Sequence, residues 1–290
     1  MVVIPAKAGI QSGVNSSGNP KPGFPIKAFG NDNFKIDTAL AQRGVPQKTR
    51  VLHIITRMIR GGAQLNTLAT VKGLQDKGYD VVLLTGPSWE EEGEILSQAL
   101  EEGVEVSVIN ELVREVDLFK DVISFLKLWN VFGEHSFDIV HTHMSKAGWL
   151  GRLAARLRKM PIIIHTPHGH VFHSYFSRWR EKLFLNLERF AASKCDRLIA
   201  LTHQEKDEHL RLGVGRPEQW SVIPSGVSEA MFRDSSLARK CELKEQLGIA
   251  QDSRIVGFVG RLESIKGPEY LLEAVQKILT AIPKAQFLFV

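Results

Sequence analysis

The stretch RIVGFVGRLESIKGPEYLLEA, residues 254–274, has the pattern of a buried strand followed by a loop and a helix. The strand is predicted from a short apolar run, Ile255–Val259, that ends at Gly260 and is too short for a helix. Gly267 and Pro268 then open a helical pattern, since proline is favoured at the first helical position. We expect this strand to be buried on both faces, which is typical of a parallel α/β sheet.

Arg261 and Lys266 lie in the loop between this strand and this helix. Ligands of open parallel sheets bind at the carboxyl ends of the strands, where helix N-termini already attract anions. Two cations at such a place indicate a diphosphate site. On spacing alone, two solvated loop charges are an equally good interpretation.

The net charge of +5 is concentrated at the amino end of the chain, where residues 1–50 hold seven basic and two acidic side chains. The remaining residues are therefore balanced, and nucleic-acid binding by the folded part is not expected. Cys195 and Cys241 are far apart and form no CxxC pattern, which favours a reducing, cytoplasmic location. No apolar run approaches the ~18 residues of a membrane-spanning helix.

The chain divides into three parts by pattern. Residues 1–47 hold five of the twelve prolines and show no helical or strand period, so we predict a disordered or irregular tail. Strands then alternate with helices over residues 48–228, which predicts an α/β domain with a doubly wound parallel sheet. Residues 229–290 are predicted to be a connector and the start of a second Rossmann-like domain. A parallel strand predicted at 286–290 would have its partners further on, so we expect this domain to be truncated.

Two of the predicted helices carry unusual apolar residues. Residues 118–132 are predicted to be a helix with four inward-facing side chains, Phe119, Val122, Leu126 and Trp129. Residues 176–193 form a second helix in which aromatic and basic side chains interleave. That pattern fits contact with an anionic membrane, but an ordinary amphipathic helix with solvated basic residues is favoured.

Two loops that follow predicted strands could approach an anion. Gly61-Gly62-Ala63-Gln64 joins the first strand of the domain to its first helix, where glycines let the backbone approach a phosphate, although a simple tight turn would look the same. His141–Gly148, HTHMSKAG, follows a later strand with Ser145 as the expected N-cap. The charge of Lys146 would then oppose the helix dipole. This placement indicates either that Lys146 contacts an anion or that it is an exposed lysine whose position costs little stability.

A third loop, HTPHGHVFH at residues 165–173, also follows a strand and is rich in histidine. A metal site is disfavoured, because neither this loop nor residues 141–148 contains a cysteine or a carboxylate. We expect one or two imidazoles to hydrogen-bond a polyhydroxy or phosphate ligand instead, and no bound metal.

Taken together, GGAQ at 61–64, HTHMSKAG at 141–148, TPHG at 166–169, IPSGV at 223–227 and GRLESIKG at 260–267 resemble the family-four retaining glycosyltransferases, which adopt the GT-B fold. The resemblance runs in order from about residue 50 to residue 290. SKAG combined with TPHG is most similar to bacterial enzymes that build capsular or extracellular polysaccharide.

The resemblance implies an amino-terminal domain that holds the acceptor and a carboxyl-terminal domain that holds a nucleotide-sugar donor. By its place in the TPHG motif, His168 is the implied catalytic residue, in contact with the transferred sugar. Arg261, Lys266 and Gly62 are implied to bind the donor diphosphate, which makes a metal cofactor unnecessary. Five further positions are expected to contact substrate: Gly61, Gln64, Lys146, Ser225 and Gly226.

The sequence departs from the family in one respect, because the E-x7-E segment that holds the donor sugar is absent up to residue 290. We therefore expect the 290-residue chain to have little or no transferase activity. The acceptor is expected to be a glycan or a lipid-linked sugar at the inner face of the membrane. Two alternatives stay open, a non-catalytic module that binds an acceptor or a membrane surface, and a GT-B sugar-nucleotide epimerase. The epimerase would need carboxylates in its cleft, which the two histidine-rich loops do not supply.

Overall fold

The chain divides into two compact units, one formed by Pro22–Gly226 and the other including Val227–Val290. The structure is a computed structural model, and it describes residues 27–28, 48–88, 95–169, 178–226, 236–260 and 262–290. None of the helices in these ranges is long and apolar enough to cross a bilayer.

The first unit is a parallel sheet with helices between its strands. Its strands are β1 (Lys27–Ala28), β2 (Arg50–Ile55), β3 (Asp80–Thr85), β4 (Glu105–Val108), β5 (Ile139–His143), β6 (Ile162–Thr166), β7 (Arg197–Ala200) and β8 (Trp220–Val222). Its helices are α1 (Gly62–Asp76), α2 (Leu96–Glu101), α3 (Leu118–Glu134), α4 (Ser145–Leu157), α5 (Arg178–Ala192) and α6 (His203–Arg211). The predicted doubly wound parallel sheet is confirmed.

The strand order is β1-β4-β3-β2-β5-β6-β7-β8, and every neighbouring pair is parallel. The chain runs outward from β2 to β3 and β4, then returns to the other side of β2 to continue with β5. β2 and β5 therefore form the topological switch point, where open α/β sheets leave a crevice for ligands. β1 lies within the segment predicted to be irregular, and the rest of residues 1–47 lies outside the described residues.

The core forms two layers, one on each face of the sheet. Leu52 and Ile54 belong to the layer beneath α3 and α4, whereas Val51 and Ile55 belong to the layer that includes apolar side chains of α1 and α2. This division follows from strand geometry, because successive side chains point to opposite faces. Helix α4 approaches the sheet closely, since a Cβ added to Gly148 would lie 2.4 Å from the His165 ring.

Helix α3 is rotated relative to the sequence prediction. Phe119, Val122 and Leu126 were expected to face inward, but they are 75%, 49% and 53% exposed, so that part of the prediction is wrong. The buried side chains of α3 are Ser124, Leu128, Val131 and Phe132. Apolar residues occur on more than one side of this helix, so their spacing alone cannot choose the face that packs on the sheet.

Helices α4 and α5 are joined by a buried ion pair. The guanidinium of Arg152 donates to both carboxylate oxygens of Glu188, at 2.8 and 2.9 Å, and the Arg152 side chain is fully buried. Arg152 Nε also donates to the carbonyl oxygen of Gly148, which ties the pair to the start of α4. Such a pair loses much of its hydration, so its two partners depend on each other.

The second unit contains α7 (Leu237–Gln246), β9 (Arg254–Phe258), α8 (Pro268–Ala281) and β10 (Ala285–Phe289). β9 and β10 are parallel, and the predicted strand, loop and helix starting at Pro268 are confirmed. The expected burial of the strand on both faces is wrong, because Ile255 is 40% exposed. A two-stranded sheet has too few neighbours to cover both faces of β9.

We predict that Arg152→Leu lowers the free energy of unfolding by about 3–5 kcal/mol, because it leaves the Glu188 carboxylate buried without its partner. The double variant Arg152→Leu/Glu188→Leu should recover most of this loss, since neither charge then remains. Urea unfolding of the wild type and the two variants measures both effects. A single variant as stable as the wild type would contradict the assigned role of the pair.

Candidate active site

The predicted site residues of the first unit converge at the carboxyl edge of the sheet. Gln64 Nε2 lies 3.8 Å from the sulfur of Met144, which joins the loop after β2 to the loop after β5. Asn66 Nδ2 donates to Ser225 Oγ at 3.1 Å and joins α1 to the segment after β8 that also contains Gly226. The loops after β2, β5, β6 and β8 therefore surround the switch point.

The first turn of α1 offers backbone N–H groups to a ligand. Gly61 is the N-cap residue, makes no side-chain capping hydrogen bond, and is followed by no acidic side chain in the first turn. No heavy atom lies within 4 Å of a Cβ built on Gly62, so packing does not require glycine there. A helix start with these properties attracts anions. The diphosphate role of Gly62 stays a prediction.

His168 has a strained backbone that its neighbours hold in place. Its φ is +58°, a left-handed conformation that is costly for a residue other than glycine. The carboxylate of Glu205 accepts from the Gly169 N–H at 2.8 Å and from the Leu201 N–H at 2.6 Å. The ring of His168 is held by His143, whose Nδ1 lies 3.0 Å from His168 Nε2. Strain held from two sides is common where a side chain must keep one position for a ligand.

His168 and the histidines beneath it are neutral at pH 7. Burial lowers the pKa of His168 to about 4, and the opposing effect of Glu205 is smaller. Burial lowers the pKa of His53 to about 3 and holds the pKa of His143 well below its usual value. A neutral imidazole carries one ring hydrogen, so each of these rings has one donor and one acceptor.

His53, His141 and His143 form a buried cluster whose residue types could also hold a metal. Their potential ligand atoms all lie within 4.8 Å of one another. However, His53 Nδ1 already faces His143 Nε2 at 2.9 Å, and His141 Nε2 faces Thr166 Oγ1 at 2.8 Å. The cluster itself contains no carboxylate or thiolate to offset the charge of a buried dication. We therefore assign no metal here, and metal independence stays a prediction.

The three basic side chains predicted to contact substrate differ in what the structure shows of them. Lys146 Nζ lies 2.6 Å from a carboxylate oxygen of Asp121 and also donates to the Glu115 carbonyl, so a ligand would compete with these partners. Lys266 is exposed in a short 3₁₀ turn of the second unit. Arg261 lies outside the described residues. The substrate roles of all three stay predictions.

The expected N-cap of α4 is wrong by one residue. Ser145 is the first helical residue, and the N-cap position is taken by Met144 with a φ of +63°. This backbone conformation differs from the extended one of a serine cap. Met144 directly follows His143, the last residue of β5, and lies two residues before Lys146.

Sequence reasoning missed two residues that support His168. His53 lies within the apolar run of β2, and a histidine in the middle of a buried strand is a local inconsistency that could have marked it. Glu205 follows Thr202 by three residues, which is the spacing of a helix-capping box. Thr202 does cap α6, but the Glu205 carboxylate reaches further, to Gly169.

A family model described as a glycosyl transferase 4-like domain matches residues 61–226, more than half of the chain. The chain therefore belongs to this glycosyltransferase family. The resemblance stated from its motifs is confirmed. The match also favours the glycosyltransferase hypothesis over the epimerase hypothesis.

Two curated relatives are longer than this chain. A UDP-Gal:alpha-D-GlcNAc-diphosphoundecaprenol alpha-1,3-galactosyltransferase of Escherichia coli is 33% identical over 249 residues, which cover 84% of this chain and 62% of the relative. A D-inositol 3-phosphate glycosyltransferase of Corynebacterium diphtheriae is 25% identical, with 77% of this chain and 54% of the relative covered. The chain thus spans about three fifths or less of these relatives.

Solved structures show the same fold at low identity. Anabaena HepE in complex with UDP and glucose matches 83% of this chain and 60% of its own with a TM-score of 0.68 and 18% identity. A UDP-GlcNAc 2-epimerase from Neisseria meningitidis matches 83% of this chain and 65% of its own with a TM-score of 0.59 and 16% identity. At this identity the likeness shows the GT-B fold alone, which transferases and epimerases share.

We predict that the protein loses stability as the pH falls below 7. Six histidines have a lowered pKa in the folded chain: His53, His135, His141, His143, His165 and His168. Below the unfolded value of about 6.5 the unfolded chain binds more protons, so each group removes up to about 1.4 kcal/mol per pH unit. This loss continues until the pH reaches the folded pKa, about 4 for His168.

Urea midpoints at pH 7.5 and pH 5.5 measure this dependence. The variant His141→Gln removes one of these six titrating groups and should give a shallower loss of stability than the wild type. Equal midpoints at the two pH values would contradict the burial of neutral histidines.

Proposed function

We propose that the protein transfers a sugar from a nucleotide-diphosphate sugar to a lipid-linked glycan acceptor, with retention of configuration, during synthesis of cell-surface polysaccharide. The observation that carries the proposal is the meeting of α1, Met144, His168 and Ser225 around the switch point. The name of the Escherichia coli relative, a UDP-galactose enzyme acting on a diphosphoundecaprenol sugar, supports the classes of donor and acceptor.

Each element of the site has a role in this proposal. The leaving diphosphate gains negative charge as the sugar departs, and fixed N–H groups and cations lower the energy of that state. Gly62 and its neighbours in α1 supply N–H groups, while Arg261 and Lys266 of the second unit supply the cations without a metal. His168 hydrogen-bonds the transferred sugar. Residues 48–228 hold the acceptor, and residues 229–290 contribute to the donor site.

The lipid part of the acceptor calls for a surface that tolerates a membrane. Five exposed apolar side chains lie at the start of α3 and just before it: Val116, Leu118, Phe119, Val122 and Leu126. We name this surface the apolar stripe. Val116 and Leu118 are 79% and 80% exposed, and contiguous apolar exposure of this kind is typical of surfaces that bind a partner or a membrane.

The position of the apolar stripe supports peripheral contact with the inner face of the membrane. Helix α3 follows β4, so its first turn starts from the same edge of the sheet as the site. Lys146, in the first turn of α4, bonds both Asp121 of α3 and the carbonyl of Glu115 just before it. A lipid-linked acceptor seated on the stripe would therefore enter the site directly. Helix α5, the surface considered from sequence, presents exposed Trp179 and Lys182 and is the competing choice.

Transfer of radiolabelled sugar from UDP-galactose to a polyprenyl-diphosphate GlcNAc tests the proposed reaction. The assay is run on the 290-residue chain and on any longer product that its native gene encodes. We expect His168→Ala to lower the rate by about 100-fold, since it removes a hydrogen bond to the reacting sugar. The exposed histidine variant His203→Ala is the control and should retain the wild-type rate.

The two proteins in this assay answer different questions. No transfer by either protein with any UDP-hexose would contradict the proposed function. Rapid transfer by the 290-residue chain alone would contradict the expectation that it has little activity.

Sedimentation with phospholipid vesicles tests the apolar stripe. We expect Phe119→Ser to lower the membrane partition coefficient by about tenfold, the value of one buried aromatic side chain. The control Leu157→Ser removes an exposed apolar side chain at the far end of α4 and should have no effect. Loss of binding in Lys182→Gln, with no loss in Phe119→Ser, would instead assign membrane contact to α5.

A further inference from the structure

Three histidines form a hydrogen-bonded chain that leads from the core to the site. His53 Nδ1 lies 2.9 Å from His143 Nε2, and His143 Nδ1 lies 3.0 Å from His168 Nε2. The inner end is His53, which is completely buried in β2, and the outer end is the partly exposed His168. Each hydrogen bond needs one hydrogen, and each neutral ring supplies one.

Only two arrangements of ring hydrogens make both bonds. In the outward arrangement each hydrogen is on Nδ1, so His53 donates to His143 and His143 donates to His168. In the inward arrangement each hydrogen is on Nε2, and the direction of both bonds is reversed. The tautomer of His168 is thus coupled to the tautomer of His53 through two hydrogen bonds.

The two ends of the chain decide between these arrangements. His53 Nε2 and His168 Nδ1 are both buried and have no hydrogen-bond partner among the described residues. The inward arrangement would leave the N–H of His53 unpaired in the core, and unpaired buried donors are rarer than unpaired acceptors. The outward arrangement leaves only a lone pair in the core and moves the unpaired N–H to Nδ1 of His168. His168 is a partly exposed residue at the edge of the sheet, so an acceptor can reach this end more easily than the core.

We propose that His53 and His143 are positioning residues that hold His168 as the Nδ1–H tautomer, so that it donates a hydrogen bond to an oxygen of the bound sugar nucleotide. His168 is then a donor and not a general base. Among the described residues the inner end has no further partner for a proton, so these three histidines fix a tautomer and do not conduct protons. The ligand half of this inference rests on the proposed transferase function, whereas the tautomer does not.

The strained backbone of His168 fits this role. Glu205 holds the Gly169 N–H on one side, and His143 holds the imidazole on the other. The ring therefore cannot rotate to exchange its two nitrogens without breaking the bond to His143. Both the position and the donor state of Nδ1 are set before a ligand arrives, which is the condition for a preorganised hydrogen bond.

Nitrogen-15 NMR of the histidine-labelled chain at pH 7.5 tests the tautomer, since protonated and unprotonated ring nitrogens resonate in separate ranges. The signals of His168 are assigned by their loss in His168→Ala. We expect Nδ1 to be protonated in the wild type with a preference of about tenfold or more. We expect His143→Phe and His53→Phe to reduce this preference severalfold. His141 belongs to the same buried cluster but is not one of the three histidines His53, His143 and His168. The control His141→Phe should therefore leave the tautomer preference of His168 unchanged.

Several outcomes would overturn the proposal. Protonation of His168 at Nε2 in the wild type would do so by itself, even if the core variants fail to fold. An unchanged His168 spectrum in a folded His143→Phe variant would also contradict it, as would a change on adding EDTA, because a metal would then hold the rings. Addition of UDP-galactose should shift the Nδ1 signal. An Nδ1–H tautomer without that shift would leave the positioning role intact and contradict the ligand role.

Discussion

Two strands that meet at the switch point, β2 and β5, bury three histidine side chains in the middle of the sheet. A charged imidazole there would lose its hydration, and an unpaired N–H would lose a hydrogen bond. The rings must therefore be neutral and must satisfy one another. This condition links His53 to His143 and, through it, to His168 beyond the end of β6. The chemistry available at the edge of the sheet is thus limited by packing inside it.

Close packing also fixes the elements beneath the site. Helix α4 begins at the switch point and approaches β6 so closely that only a glycine fits at position 148. Arg152, one turn further along, donates to the Gly148 carbonyl and pairs with Glu188 of α5. The start of α4 is thereby tied to a second helix, and the loop that leaves β5 is anchored from below. A rigid base of this kind is what a preorganised site requires.

The fold was largely predictable because alternating strands and helices follow from hydrophobic period and turn residues alone. The direction in which α3 faces was not, because apolar side chains such as Phe119 and Leu128 lie on both sides of it and only tertiary contacts choose between them. The loops of the site were predictable from glycine and histidine at strand ends. His53 was not, since its role depends on its register beside His141 of β5, which a single sequence does not contain.

Lys146 of α4 links the candidate site to α3, the helix that carries the apolar stripe. Lys146, which its motif predicts to contact substrate, bonds the carboxylate of Asp121 and the carbonyl of Glu115. A cation placed in the first turn of a helix is unfavourable unless something compensates it, and here the compensation comes from α3. The same contacts tie the first turn of α4 to α3. The start of α3, with its exposed apolar side chains, is therefore fixed relative to the loop that leaves β5.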